Sequence, residues 1–244
     1  MSILFVSDIH LRSESPDVTD GFLNFLNYCA IRAQSLYILG DLFEIWLGDD
    51  DYKSLHINIA KALKRLQQKK ISCYFIHGNR DFLLGEKYAK ACGMTLLSSK
   101  QILKLKSGKK IVILHGDTLC TDDKLYQLFR KCFRNIVAQR LFLLLPLSVR
   151  SRIFGIIRSC CVRHKQCKSK KKLNINLRIA TDILVKNHAD IMIHGHTHQP
   201  TIYKIFGSKK DMLNIMVLGG WNKYGSMIEV NEENNNIVFM EFPI

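Results

Sequence analysis

The sequence has few prolines, no cysteine pairs spaced for metal binding and no long hydrophobic run. Its 244 residues include four prolines, and its eight cysteines form no Cys-x-x-Cys pair and no regular spacing. This pattern excludes a zinc knuckle and a disulfide-stabilised scaffold and favours a reducing cytoplasm. The longest apolar stretch, residues 141–147, is far shorter than the roughly 20 residues that a membrane-spanning helix needs. The N-terminal residues MSILFVSDIHL contain no basic leader, so we expect no secretory signal.

Acidic residues are missing from one long part of the chain. There is none between residues 124 and 181, whereas the whole chain has 36 Lys and Arg, 21 Asp and Glu and a net charge of +15. Basic residues crowd the same part, at Arg150, Arg152, Arg158, Arg163, Lys165, Lys168, Lys170, Lys171 and Lys172. Such a block predicts a phosphate-bearing partner, which is a nucleic acid, an anionic membrane or a charged ligand. The alternative is a compositional bias toward lysine that has no function.

Short apolar runs alternate with helical patterns, which predicts an α/β fold in which helices cover a sheet. We predict strands at residues 3–7, 35–39, 72–76, 102–105, 110–114, 190–193, 215–218, 226–230 and 237–242, and helices at 18–33, 55–68 and 174–187. The last three strands are expected in a second sheet. Residues 122–172 are predicted to be an inserted helical cap, which Pro146 divides into two helices. The length fits one domain with an insertion.

Polar motifs follow the apolar runs at five places. They are Asp8-Ile9-His10, Gly40-Asp41, Gly78-Asn79-Arg80-Asp81, His115-Gly116-Asp117 and the stretch IHGHTHQP at residues 193–200. In open sheets of this class, ligands bind beyond the carboxyl ends of the strands, so distant residues meet in one crevice. His194, His196 and His198 alternate, and side chains two apart in an extended segment share a face. The motifs therefore predict a metal site; the alternative for the histidines is a polar surface strand.

The motifs DIH, GDLFEIW, GNRD, HGD and GHTH resemble those of the calcineurin-like metallophosphoesterases. That resemblance implies a single domain over residues 1–244, built as a two-sheet α/β sandwich flanked by helices, with the helical cap at about residues 122–172. It also implies two metal ions between the sheets. Asp8, His10 and His198 would hold one ion, Asn79, His115 and His196 the other, and Asp41 would bridge them. His194 is expected to orient a ligand or to pack under the loop rather than to bind an ion.

The chemistry of these residue types agrees with that assignment. A bridging ligand needs two oxygens, which Asp41 has, and a mixture of carboxylate, amide and imidazole ligands suits manganese, iron or zinc rather than calcium. Many members of the family have histidine after the asparagine, where this chain has Arg80. Arginine cannot act as a general acid, but it binds phosphate. A leaving group that is itself a phosphate needs no proton, so Arg80 favours a pyrophosphate substrate; the alternative is a salt bridge with Asp81 or Asp41.

The longer stretches YILGDLFEIWLGDDD, YFIHGNRDFLLG, ILHGDTLCTDD and IHGHTHQP are similar to the family members that cleave UDP-2,3-diacylglucosamine in lipid A synthesis. The resemblance implies hydrolysis at the α-phosphorus with two Mn²⁺ ions. It implies catalytic roles for Asp41, Asn79, Arg80 and His115, and substrate contacts from Asn79, Arg80, Asp123, Tyr126, Arg158, Lys168 and His196. Cys160, Cys161 and Cys167 depart from the polar residues that the resemblance leads us to expect in the cap.

A lipid substrate explains the composition of the cap. Its Leu-rich and Phe-rich helices would line a cleft for acyl chains, and its basic residues would bind the diphosphate and an anionic leaflet. We therefore expect peripheral association with the cytoplasmic face of the bacterial inner membrane and no obligate protein partner. The alternatives are a cap that simply packs on the domain, a nucleic-acid phosphodiesterase and a non-catalytic basic module. The second is disfavoured because residues 159–172 contain no aromatic side chain for base stacking, and the third because all seven inferred ligands are present.

Overall fold

The computed structural model describes residues 2–166, 175–206, 212–234 and 236–244, with side chains for all of these except residues 158–166. Eleven strands lie in this part of the chain. They are β1 Ser2–Val6, β2 Ala33–Ile38, β3 Ser72–Phe75, β4 Met94–Leu96, β5 Lys100–Lys104, β6 Lys110–Leu114, β7 Ile191–His194, β8 Thr201–Phe206, β9 Met212–Val217, β10 Tyr224–Asn231 and β11 Asn236–Pro243. They form a six-stranded sheet in the order β11-β10-β1-β2-β3-β4 and a five-stranded sheet in the order β5-β6-β7-β9-β8.

Parallel strands form the centre of each sheet. Strands β1 to β4 are parallel in the first sheet, and β6, β7 and β9 are parallel in the second. Antiparallel strands complete both sheets, because β10 pairs with β1 in the first and β5 and β8 pair with their neighbours in the second. The carboxyl ends of the central strands therefore share one edge, where the predicted motifs lie.

Seven α-helices accompany the strands in the described part of the chain. They are α1 Pro16–Arg32, α2 Ser54–Gln68, α3 Glu86–Cys92, α4 Lys124–Phe133, α5 Ile136–Leu143, α6 Leu147–Gln166 and α7 Leu177–Lys186. Helices α1 to α3 pack on the outer face of the first sheet, with Phe22, Leu63 and Ala89 in the same core as the outward-facing Leu4 and Leu36. Helix α7 covers the other sheet in the same manner.

The core between the two sheets is built from alternate residues of the buried strands. Ile3 and Phe5 of β1 meet Ile113 of β6 and Ile193 of β7 there. Because successive strand residues point to opposite faces, β1 contributes to this core and to the core under the helices at once. The result is a four-layer arrangement of helices, sheet, sheet and helix. It confirms the predicted α/β sandwich flanked by helices.

One expectation about the sheets is wrong, and three elements were not predicted. Of the three C-terminal strands, only β9 belongs to the second sheet, whereas β10 and β11 extend the first sheet beside β1. Hydrophobic alternation indicates a strand but not its neighbour, which long-range packing decides. Helix α3 and strand β4 were missed because they are only seven and three residues long. Strand β8 was missed too, since it follows the histidine motif directly.

Helices α4, α5 and α6 form the described part of the predicted cap. The break at Pro146 lies where it was expected, between α5 and α6, but the part before it is two helices rather than the one predicted. Arg150 fastens the cap to the body of the protein and is 1% exposed. Its guanidinium donates to the carbonyl oxygens of Leu47 and Leu145 at 2.5 Å and 2.9 Å and forms a two-pronged pair with Asp50. Gly48 leaves room for this side chain, because a Cβ there would collide with the guanidinium.

Among the described residues, no helix has both the length and the apolar character that are needed to span a bilayer.

Candidate metal centre

The backbone beyond β1 and β2 holds three predicted ligands side by side. Hydrogen bonding between the two segments continues past the strand ends, from the nitrogen of Asp8 to the oxygen of Gly40 at 3.1 Å. A second bond runs from the nitrogen of His10 to the oxygen of Asp41 at 3.0 Å. These bonds fix the register of the two loops, so the side chains of Asp8, His10 and Asp41 face the same crevice.

Asp8, His10 and His198 form one group of ligand atoms, called the Asp8 cluster below. Together with Asp41, their ligand atoms all lie within 4.8 Å of one another. Nε2 of His198 is 3.1 Å from Nε2 of His10 and 3.3 Å from Oδ1 of Asp8. That oxygen is buried and accepts no hydrogen bond from any residue that the structure describes. A buried carboxylate oxygen beside two imidazole nitrogens fits a divalent cation of the transition series.

Asn79, His115 and His196 form a second group, called the Asn79 cluster. Oδ1 of Asn79 lies 3.0 Å from Nε2 of His115 and 2.9 Å from Nδ1 of His196. Nδ1 of His115 is 2.8 Å from the carbonyl oxygen of Leu39 and donates to it. In a neutral ring, the unprotonated Nε2 then faces the amide oxygen, and a cation between these two acceptors would remove their repulsion.

Asp41 lies between the two clusters and presents one oxygen to each. Its Oδ2 is 3.7 Å from Nε2 of His10, and its Oδ1 is 3.8 Å from Nε2 of His115. The backbone nitrogen of Arg80 donates to Oδ1 at 2.8 Å, which fixes the rotation of the carboxylate. The side chain is buried at 1% exposure. This geometry suits a ligand shared by two ions.

Burial and neighbouring charges shift the pKa values of several of these groups. Burial alone would raise the pKa of Asp8, but the adjacent imidazoles of His198, His115 and His10 lower it, so the group stays ionised. Burial and the charge of His115 lower the pKa of His196 to about 3, so this ring is neutral, as a ligand must be. Burial would lower the pKa of His115 as well, but the carboxylates of Asp41 and Asp8 raise it.

Five of the seven predicted metal ligands have a left-handed backbone. The φ angles are 55° at Asp8, 54° at His10, 54° at Asp41, 73° at His196 and 59° at His198. The side chains converge as expected, but the reason given for it, alternation along an extended segment, is wrong. Residues other than glycine rarely adopt this conformation, which costs about 1–2 kcal/mol each. Its concentration at one point is typical of a functional site.

Two glycines allow the ligand loops to approach closely. A Cβ on Gly78 would collide with the carboxylate and the backbone nitrogen of Asp41, and a Cβ on Gly195 would collide with the side chains of Asp8 and Ser7. The loops before Asn79 and His196 can therefore pack against the loops after β1 and β2 only because these positions lack side chains.

Two acidic residues, Asp81 and Glu44, support the centre through contacts that the sequence did not predict. Asp81 is fully buried and accepts hydrogen bonds from the backbone nitrogens of Leu42 at 2.7 Å and Gly78 at 2.9 Å, which joins the two loops. Oε2 of Glu44 lies 3.0 Å from Nδ1 of His10, and a carboxylate there would orient the ring toward a cation. Both residues lie in quoted motifs, GNRD and GDLFEIW, but their partners are distant in the sequence.

The predicted substrate residues occupy different positions around the centre. Nη1 of Arg80 lies 3.7 Å from Oε1 of Glu44, not beside Asp81 or Asp41, and the side chain is 27% exposed at the rim. The carboxylate of Asp123 caps α4 by accepting from the nitrogen of Tyr126 at 3.0 Å. The hydroxyl of Tyr126 donates to Asp117 at 3.3 Å. The side chain of Arg158 and all of Lys168 lie outside the described residues.

His194, the remaining histidine of the motif, is fully buried behind the centre. Its Nδ1 lies 2.9 Å from the carbonyl oxygen of Gly195. Burial lowers the pKa of His194 to about 4, so the ring is neutral at pH 7. It is not among the four residues whose ligand atoms gather around the Asp8 cluster.

The chain is similar to known proteins along its whole length. A family model described as calcineurin-like phosphoesterase matches residues 1–200. A protein of Blochmanniella pennsylvanica named UDP-2,3-diacylglucosamine hydrolase is 73% identical over 244 residues, covering 100% of this chain and 98% of the relative. A protein of the same name from Blochmanniella floridana is 53% identical and covers 100% of this chain and 99% of the relative. Another from Sodalis glossinidius is 49% identical and covers 99% of this chain and 98% of the relative. These matches include the cap.

Proposed function

The chain belongs to the calcineurin-like phosphoesterase family, and from that membership we propose that it hydrolyses the pyrophosphate bond of UDP-2,3-diacylglucosamine. The single observation that carries the proposal is its end-to-end similarity to relatives that bear the name of this hydrolase. Water attacks the α-phosphorus, its oxygen forms the new P–O bond, and the bond to the β-phosphate breaks. The products are UMP and 2,3-diacylglucosamine 1-phosphate, an intermediate of lipid A synthesis. The whole chain acts as one domain with the cap at about residues 122–172.

Two divalent cations complete this centre, and we propose Mn²⁺ for both positions. The Asp8 cluster would hold one, the Asn79 cluster the other, and Asp41 would contact both, in keeping with the distances around these atoms. When bound, such a pair of ions activates a water molecule and neutralises charge that develops on the phosphate oxygens. The mixture of carboxylate, amide and imidazole donors supports manganese, iron or zinc, and the resemblance to the Mn²⁺-dependent hydrolases favours manganese.

Arg80 binds the diphosphate at the rim of the centre. Its side chain is partly exposed and its partner Glu44 lies 3.7 Å away, so the guanidinium can turn toward an incoming phosphate. Arginine stays charged at neutral pH and offers a planar pair of donors, which stabilises the additional negative charge of the transition state. The leaving sugar phosphate is a weak base and departs without a proton. Asn79 and His196 line the same side of the centre and contact the α-phosphate.

The cap binds the acyl chains and brings the protein to the membrane. Neither α4 nor α5, both described in full, has a fully buried side chain. In the described part of the cap, the apolar side chains that are more than half exposed are Leu128, Ile136, Val137, Leu141, Leu144 and Ile156. An exposed group of this size marks an interaction site, and each methylene that it buries contributes about 0.8 kcal/mol. With the basic residues beside it, this surface supports peripheral binding to the anionic cytoplasmic face of the bacterial inner membrane.

The test combines substrate choice with the position of cleavage. Purified protein with Mn²⁺ is incubated with UDP-2,3-diacylglucosamine in ¹⁸O-water, and in parallel with single-stranded DNA and a simple phosphodiester. We expect UMP that carries the ¹⁸O label, because attack is at the α-phosphorus. Asp41→Ala should abolish UMP release, whereas Asp182→Ala, an exposed acidic residue on α7, should leave it unchanged. Turnover of DNA without UMP release would overturn the proposal, and label in the sugar phosphate would overturn the proposed point of attack.

A further inference from the structure

Arg134, at the end of α4, holds the backbone that leads into Asn79. Its Nη2 donates to the carbonyl oxygen of Gly78 at 2.8 Å and to that of His77 at 3.2 Å. The guanidinium carbon lies 5.8 Å from the centre of the Phe82 ring, on the other side of the same loop. One cap side chain therefore grips the loop before and after Asn79. Since the orientation of the amide depends on this loop, Arg134 acts on the Asn79 cluster without touching a substrate.

Two more contacts join α4 to the other members of the Asn79 cluster. Asp117, two residues after His115 and 3% exposed, accepts from Nε of Arg130 at 2.6 Å and lies 4.0 Å from Nη2 of Arg134. The ring of Tyr126 lies 5.9 Å from the ring of His196. Helix α4 thus reaches the surroundings of all three residues that would hold the second ion.

The Asp8 cluster has a different support. The carbonyl oxygen of Asp8 accepts from the nitrogen of Trp221 at 3.0 Å, and His10 is oriented by Glu44. Among the hydrogen bonds, ion pairs and ring contacts of the described residues, none connects α4 with Asp8, His10 or His198. One cluster is therefore fixed by the body of the protein, and the other shares its supports with the cap.

We propose that Arg134 is a positioning residue through which the cap sets the affinity of the Asn79 cluster for its ion, while the Asp8 cluster binds its ion independently of the cap. This inference rests on the proposed function, since it requires two ions. It follows that the two sites have unequal dependence on the cap. Loss of the grip on Gly78 and His77 lets Asn79 leave its place between His115 and His196, and only the second ion is weakened.

The experiment titrates metal-free protein with Mn²⁺ and follows both binding steps by calorimetry and by the electron paramagnetic resonance signal of paired ions. In Arg134→Leu, which keeps the apolar stem, we expect the first step unchanged and the second weakened about tenfold or more, the usual effect of removing a residue that supports a ligand. Arg134→Lys keeps a donor and should recover part of the loss. Lys131→Leu removes an exposed charge from the same helix and should bind both ions like the natural protein.

The outcomes separate this inference from the proposed function. Equal loss of both binding steps in Arg134→Leu, with no recovery in Arg134→Lys, would mean a general folding role and would overturn it. So would two normal binding steps in Arg134→Leu. Thermal unfolding of each variant in EDTA identifies a folding defect. If the natural protein binds two ions and the second step responds as expected, but no UMP is released, the proposed substrate is wrong and the positioning role stands.

Discussion

Replacing Arg150 with methionine should loosen the cap measurably. The substitution keeps an apolar stem but removes every donor from a side chain that is 1% exposed. The carbonyl oxygens of Leu47, in a buried contact, and Leu145, in a partly buried one, lose their partner, and a buried group left without one costs about 1–3 kcal/mol. The pair with Asp50 adds little, because the Asp50 side chain is 55% exposed and water can replace the guanidinium. We therefore expect the free energy of unfolding to fall by about 3 kcal/mol.

The control for this prediction lies two residues further along the same helix. Arg152 is exposed, so Arg152→Met should change stability by less than about 0.5 kcal/mol. For a protein of this size, a loss of about 3 kcal/mol lowers the melting temperature by about 6–12 °C if cap and body unfold together. Calorimetry of the metal-free variants measures that shift, and hydrogen exchange shows whether the loss is confined to the cap amides. Equal melting temperatures and equal exchange in the two variants would refute the idea that Arg150 fastens the cap.

Two other outcomes follow from individual contacts. Gly78→Ala should lower both the melting temperature and the Mn²⁺ content because its Cβ collides with Asp41, whereas Gly155→Ala, in open space within α6, should stabilise the protein by about 0.5–1 kcal/mol. Calorimetry and metal analysis check this pair, and a normal metal content in Gly78→Ala would contradict the packing described. Burial lowers the pKa of His56, whose Nδ1 donates to the oxygen of Asp51 at 2.8 Å. The folded state thus binds fewer protons, and the stability that His56 contributes is present above its ordinary pKa of about 6.5 and lost as the pH falls. Urea unfolding of the metal-free protein at about pH 7.5 and 5.5 measures the free energy of unfolding. It should fall more between these pH values in the natural protein than in His56→Asn, and equal decreases would contradict this role of His56.

The strand ends could be predicted from the sequence because a chemical change marks each of them. A run such as ILFV stops at Asp8, and a run such as LYIL stops at Gly40 and Asp41. The change from apolar to polar residues at the strand ends therefore indicated where the crevice lies. The local conformation was not predictable in the same way, since the left-handed angles at Asp8 and His10 occur where the backbone is hydrogen-bonded to a loop about thirty residues away. The ligands converge, but not along an extended backbone.

Supporting residues were harder to find because their roles depend on partners distant in the sequence. Arg134 lies 56 residues from Gly78, whose oxygen it binds, and it was one of many basic residues in a long cationic stretch. Nothing in its neighbourhood separates it from the exposed Lys131. The neighbours of β10 and β11 were missed for the same physical reason: alternation specifies that a strand has a buried face but not which edge it joins.

The left-handed backbone at five of the predicted ligands lowers the stability of the fold at the residues that would bind the ions. Glycine at any of the five positions would relieve the local cost and would make the polypeptide without metal easier to fold. The aspartates and histidines there therefore lower the stability of the metal-free chain, and bound cations would offset that cost by stabilising the folded state.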